Sequence, residues 1–506
     1  MTRVEQHDSG VIQWLTAAER RALLCAFLAG LMARAGALFY TASPDDFVFL
    51  THPDAGRLAF NILVANGRFA GGAILAGLSW LGLGQPHANV LGVVLGTFAL
   101  SLTGIIACRV WRLPGGAVPA TIVTCLISIH PYHADIATYR VTFLVVSMAF
   151  LTAASAAFLL LETRVPLAVP AVTLALGCAM YQVSFTYALI ILVGAWLTGW
   201  WGAHEDLRGA AILQRAGIAV LSSVPLYFLM SVAALKVSNL APDARVATIA
   251  LNEFGKRSSE ILGLIRKLAL DAEPIVPMSV KAMLLGLLAA AILALVVRQG
   301  SEKGVLRGLL TGVTGLVLAA AMSLLVVAHL FVVVEWWPAP RTLSQIGVFW
   351  GMVFAAGYKA CGAHQRRVLL CLGGLLVASF VGLANQVFFD EHRMNTRDTL
   401  RSGRIVARLE ARPDFASVKA LAIIGGEWNY PLPTPSTYYD LNISALYAPW
   451  SRVVAINDVS GYNFAVVSDG KRLEAARSYC AAAAPWPAEA SITVQGEVGV
   501  VCLGKP

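Results

Sequence analysis

Residues 139–161 read YRVTFLVVSMAFLTAASAAFLLL, and from Val141 to Leu161 the run carries no charge. A helix crossing the hydrocarbon core of a bilayer needs about 20 mainly apolar residues, so the stretch reads as a membrane span. Composition agrees. Of 506 residues, 58% are hydrophobic and 13% are charged, and the mean hydropathy is +0.69. A soluble protein carries about 25% charged residues, so too few are present here to coat a globular surface. Lipid is therefore the solvent for most of the chain. The net charge of +9 does not point to nucleic acid, because the basic residues lie between apolar runs, where topology signals belong. The eight cysteines show no zinc-like or redox spacing. Cys25, Cys108, Cys125, Cys178, Cys361 and Cys371 lie in or beside apolar runs and read as packing residues. Met1 to Arg21 is too polar for a signal peptide, so the first apolar run is expected to be a retained span.

Candidate spans are 22–40, 88–110, 117–131, 139–161, 166–182, 184–201, 213–236, 276–298, 306–334, 342–362 and 367–389, about eleven in all. Arg3, Arg20, Arg21, Arg109, Arg112, Arg164, Arg208, Arg215, Arg298, Lys303, Arg307, Lys359, Arg366 and Arg367 fall on one side of them. The opposite short loops hold Arg57, Arg68, Arg140 and Arg341. The positive-inside rule then puts the N-terminus in the cytoplasm, and an odd span count puts the C-terminal segment outside. Loop 237–275 is outer yet carries Arg245, Lys256, Arg257, Arg266 and Lys267. Its apolar residues, from Val246 to Leu268, recur at near-helical spacing, so it reads as an amphipathic helix on the outer interface. Beyond Asp390 the composition changes. Segments 391–411 and 470–483 read as helices, and 419–424, 452–456 and 498–503 as strands. The expected organisation is a mainly α, polytopic transmembrane helical bundle over 1–390, with a small α/β extramembrane domain over 391–506.

The chemically capable residues collect on the outer side. Ser43-Pro44-Asp45-Asp46 follows the first span. The carboxylates Asp45 and Asp46 can supply a general base, or Pro44 and the acids can simply start a helix. Asn66-Gly67-Arg68 follows in the same loop. An Arg at the membrane surface can hold a phosphate through two parallel hydrogen bonds, or it can snorkel to headgroups. His130-Pro131-Tyr132-His133-Ala134-Asp135 and Tyr139-Arg140 come next. Two histidines and an aspartate invite a metal, but Pro131 breaks helical continuity. Polar substrate contact by His130, His133 and Tyr139 is the favoured reading, and interfacial anchoring is the rival. Tyr181-Gln182 marks another outer helix end, and an amide at bilayer depth usually has a partner. In Trp336-Trp337-Pro338-Ala339-Pro340-Arg341, tryptophans are ordinary at an interface, whereas Arg341, fixed by two prolines, suits a phosphate or sugar. Asn385, Gln386, Asp390, Glu391 and Arg393 end the last span on the same side.

In order along the chain, Asp45-Asp46, Gly67-Arg68, His130-Pro131, Tyr139-Arg140, Tyr181-Gln182 and Pro340-Arg341 resemble the Gtr type II family of bacterial and phage glucosyltransferases that modify O-antigen. The resemblance covers about residues 20–410. It implies a GT-C type membrane glycosyltransferase that takes a sugar, expected to be glucose, from a polyprenyl-phosphate donor on the periplasmic face of the inner membrane. Asp45 or Asp46 then carries over as the catalytic base. From their chemistry, Arg68, Arg140 and Arg341 are assigned to the donor phosphate. Asn66, His130, His133, Tyr139, Tyr181, Gln182 and Trp337 are assigned to substrate. No cofactor is required, because fixed arginines can supply the positive charge; a divalent metal is the less favoured arrangement. Expected partners are the lipid-linked donor, a glycan acceptor and the bilayer, with a flippase and a donor synthase as further candidates and no nucleic acid.

Two other classes compete. A transporter predicts ionisable residues at mid-membrane and paired broken helices from inverted repeats, neither of which stands out. An O-antigen ligase or polymerase would place its chemistry in a long late loop, for which 237–275 is the candidate. In an oxidising compartment, Cys480 and Cys502 can form one disulfide joining a helix to the final strand, provided their Cα spacing permits it.

Overall fold

The computed structural model describes residues 15–504 apart from 40, 51, 53, 84–88, 164, 201–207, 245–246, 427–437 and 440. Arg3, Arg164, Arg245 and Val246 of the topology reading lie outside the described residues.

The quoted stretch is the helix Arg140–Glu162. Its 23 residues rise about 35 Å at 1.5 Å each, enough to cross a bilayer. At one end Glu162 pairs with Arg112 at 3.7 Å, and at the other Arg140 enters the polar cluster described below. Further contacts gather at the Glu162 end. Arg109 pairs with Glu19 at 2.6 Å, and Lys359 Nζ donates to the Trp111 and Thr198 carbonyls at 3.0 and 2.9 Å. The bundle is thus basic at one end, and its carboxylates, amides and aromatics meet arginine at the other.

Among the described residues, six helices are long and apolar enough to span: Val90–Val110, Arg140–Glu162, Gln214–Ser238, Met278–Lys303, Val305–Phe331 and Ala363–Glu410. This is fewer than the roughly eleven expected from hydropathy, because several apolar runs are interrupted. Ala117–Ser128, Ala168–Met180 and Ser184–Thr198 are shorter helices. Their ends fall at His130-Pro131 and at Tyr181, which leaves the helix in extended conformation. The breaks coincide with the motifs. The loop after the first apolar helix also holds more structure than its reading suggested, with helices Pro44–Leu50, Ala55–Ala65 and Phe69–Trp80. The last two form a hairpin too short to cross. Gly67 closes its turn at φ +71°, and a Cβ there would sit 2.6 Å from the Tyr227 hydroxyl.

The amphipathic segment is the helix Phe254–Leu270. One face is docked onto protein through Ile261 and Leu264, while Phe254, Leu262 and Leu270 stay exposed. Arg257 is buried, donates to the Leu330 and Val334 carbonyls at 3.3 and 2.7 Å, and stacks on Trp336.

The last apolar helix does not stop at the bilayer. Ala363–Glu410 has 48 residues, about 70 Å against a hydrocarbon core of about 30 Å, so its C-terminal half projects and carries the small domain. That domain holds a four-stranded sheet, β1 (Ala420–Ile424), β2 (Ala465–Val466), β3 (Ile492–Gln495) and β4 (Val498–Cys502), in the order β2-β1-β4-β3. β1 pairs in parallel with β2 and β4, and β3 pairs antiparallel with β4. Helix Gly470–Ala482 lies where expected, and Cys480 is disulfide-bonded to Cys502 with Cα atoms 5.3 Å apart. Segment 452–456 is not a strand but the start of helix Arg452–Ser460, its Val453 and Ile456 buried in the domain core. Tertiary packing overrides the β-branched composition there. The same core includes Ala42 and Phe47, packed with Ile405, Val406, Leu446 and Val453. The short Asp-bearing helix is therefore built into the C-terminal domain as well as the bundle.

Candidate active site

Pro44 opens the helix Pro44–Leu50, with Asp45 and Asp46 in its first turn. The two acids diverge. Asp45 is exposed and accepts a hydrogen bond from Trp450 Nε1 at 3.0 Å. Asp46 is buried; its Oδ2 accepts from the Ser43 backbone N–H at 2.9 Å and from Ser43 Oγ at 2.8 Å. Its Oδ1 accepts from Val141 N at 3.4 Å. The capping reading and the catalytic reading are thus compatible, because the Ser43–Asp46 turn fixes a carboxylate at the mouth of the bundle. Burial pushes the Asp46 carboxyl up to about 6, against the Ser43 hydrogen bonds and the nearby Arg140 charge, which pull it down. A base of that strength is ionised at neutral pH and still able to take a proton.

Arg140 stands beside it, 3% exposed. It donates to the Phe39 carbonyl at 2.5 Å and to Thr41 Oγ1, and lies 3.5 Å from Glu391 Oε2. Glu391 comes from the last apolar helix and is buried too. A pair of buried charges that compensate each other fixes geometry. Arg140 therefore ties the Asp46 loop to the bundle through these partners, and two further motif arginines lie nearer the surface.

Those are Arg68 and Arg341, both half-buried. Arg341 stacks on Tyr139 at 4.4 Å. Its backbone N–H donates to Asp135 Oδ2 at 2.8 Å, and its guanidinium lies 3.6 Å from the same oxygen. Tyr181 joins the two arginines: its hydroxyl donates to the Arg341 carbonyl at 3.3 Å, and Arg68 lies over its ring at 4.9 Å. Arg68 Nε donates to Gln182 Oε1 at 3.0 Å, and Gln182 Nε2 donates to the Asn66 carbonyl at 2.7 Å. The amide at Gln182 has the partner expected of it. Tyr139 and Arg140 are adjacent, so one continuous network runs from Gln182 through Arg68, Tyr181, Arg341 and Tyr139 to Arg140, Val141 and Asp46.

Other candidates fall elsewhere. His133 is fully buried against Phe150, which stacks on Tyr187, and so belongs to the core. His130 packs against Phe380 and lines a mainly apolar cavity of about 240 Å³, to which Lys281 also contributes, at the start of the helix Tyr132–Thr138. Trp337 sits edge-on to Tyr439, and the Asn66 side chain donates back to Ile62 O. No group of three metal-ligating side chains occurs among the described residues. Sequence reasoning passed over Thr41, Asn395 and Trp450, and placed Glu391 only as a helix end. Asn395 makes two hydrogen bonds to the Ala42 backbone, at 2.7 and 3.0 Å.

Fold and site together define a polytopic helical membrane protein with a carboxylate–arginine cluster at one end of its helices. The family model described as Glucosyl transferase GtrII matches residues 44–356, from the first turn of the Asp46 helix to beyond Arg341. The match covers more than half of the chain, which belongs to that glucosyltransferase family. No curated protein matches it.

Proposed function

We propose that this membrane glucosyltransferase takes glucose from a polyprenyl-phosphate donor and transfers it to a cell-surface glycan such as O-antigen, on the periplasmic face of the inner membrane. The observation that carries the reading is the continuous network joining the buried Asp46 carboxylate to two half-buried arginines. An acceptor hydroxyl attacks the anomeric carbon and gives its proton to Asp46. The new C–O bond forms as the bond from that carbon to the phosphate oxygen breaks. Negative charge then grows on a lipid phosphate, which Arg68 and Arg341 stabilise. Because these cations are fixed, the reaction as proposed requires no metal.

The lipid part of the donor has a matching feature. The cavity beside His130 and Tyr132 is walled by Ile265 and Leu268 of the amphipathic helix and by Leu285 and Leu316, the last two exposed on lipid-facing surfaces. Its size suits a short length of hydrocarbon, with the remainder of the chain lying among those exposed leucines. The helix Tyr132–Thr138 starts at this cavity and, through Asp135, holds Arg341. A transporter reading finds less support: the buried Arg34 is occupied by the Gly30 and Ser128 carbonyls, at 3.3 and 2.5 Å.

Donor discrimination tests the proposal. In proteoliposomes, polyprenyl-phosphate-glucose is expected to support labelling of O-antigen polysaccharide, and UDP-glucose is not. Transfer from UDP-glucose alone would refute it.

A further inference from the structure

We infer that Trp450, supplied by the C-terminal α/β domain, is the acceptor-sugar platform of this site. The inference rests on the glycosyltransferase reading above. Trp450 is 55% exposed, yet it is not loose, because its indole N–H donates to Asp45 Oδ1 at 3.0 Å. Asp45 is the immediate neighbour of the proposed base. A large aromatic face held in water by its polar edge is already oriented for a ligand. The π face is electron-rich, and the axial C–H bonds of a pyranose ring are its natural complement. The carboxylate at the edge of the ring adds an acceptor for sugar hydroxyls. The surrounding scaffold is rigid. Asp398 accepts from Ser444 Oγ and Ala445 N, both at 2.7 Å, and so fixes the loop that leads to Trp450. Asn395 fixes Ala42 from the other side. Platform and base are thereby set in one frame. The outer domain gains a role beyond support: it presents the acceptor. A Trp at this level could instead anchor in headgroups, and an anchor would act on donor and acceptor alike.

The test uses the full chain in proteoliposomes, polyprenyl-phosphate-glucose as donor and delipidated O-antigen polysaccharide as the probe. Trp450→Leu is expected to raise the acceptor KM about tenfold, equivalent to ~1.4 kcal/mol, and to leave the donor KM unchanged. Trp450→Phe, which keeps a ring, should recover most of that loss. Polysaccharide should also quench a fluorescence component present in the wild type and absent from Trp450→Phe. An unchanged acceptor KM, or donor and acceptor KM rising together, would overturn the platform and leave the donor reading standing. Quenching at Trp450 without any transfer by the wild type would keep the platform and remove the donor reading. The absence of both quenching and transfer would overturn the platform.

Discussion

Asp46→Asn separates catalysis from folding more cleanly than any other substitution at this site. Burial raises the folded carboxyl from 3.8 to about 6. At about 1.4 kcal/mol per unit this is roughly 3 kcal/mol. The sign follows from which form burial favours. The neutral acid is the preferred form in the folded state, so its contribution is complete below the unfolded value and is lost as pH rises through about 6. At pH 7.5 the ionised Asp46 therefore costs stability. Asparagine removes that cost but brings an amide N–H₂ among the donors on Ser43 and Val141, which costs about 1–3 kcal/mol. The two nearly cancel, so thermal stability at pH 7.5 should change little. Activity should not survive, since a positioned general base contributes about 100- to 10,000-fold. Wild-type kcat should also fall about tenfold per pH unit below about 6, and the residual rate of Asp46→Asn should show no such limb. The assay is radiolabelled glucose transfer in proteoliposomes, run beside a thermal melt. An Asn variant within about threefold of wild type, against the 100-fold or more a base supplies, would refute the assignment.

Glu391→Gln weakens the buried contact to Arg140 but leaves it the Phe39 and Thr41 acceptors and the nearby Asp46 carboxylate, so it should lower stability by about 1–3 kcal/mol; a melt that does not move would remove Arg140–Glu391 as the tie between loop and bundle. Arg341→Lys and Arg68→Lys keep the charge but lose the planar fork, and each should raise the donor KM, about tenfold for every 1.4 kcal/mol lost, with the acceptor KM unaffected. Gly67→Ala forces a side chain into a positive-φ turn against Tyr227. It should cost about 1–3 kcal/mol and should weaken donor binding by displacing Arg68 from Gln182, measurable as a higher donor KM.

The bundle was legible because crossing a bilayer imposes a length and a composition on each span, and Val141 to Leu161 shows both. The shorter helices were harder. Residues 55–65 and 69–80 are apolar but fall below spanning length, and Gly67 between them reads equally well as loop. Segment 452–456 was misread because Val453, Val454 and Ile456 favour a strand locally, whereas the domain core buries them on a helix. The site was legible as a set of motifs sharing one side of the membrane. Its connections were not. Glu391 lies 251 positions from Arg140, and Trp450 lies 405 from Asp45. Periodicity and spacing carry no information at that range, so the residues that lock and flank the Asp pair emerged only from the fold.

The most direct measurement is a structure of the protein with a non-hydrolysable polyprenyl-phosphate-glucose analogue in lipid nanodiscs. The account predicts the phosphate within hydrogen-bonding distance, about 3 Å, of Arg68 and Arg341, the anomeric carbon facing Asp46, and the hydrocarbon entering beside Leu316. A sugar bound at the opposite, basic end of the bundle, beside Arg109 and Lys359, would contradict it.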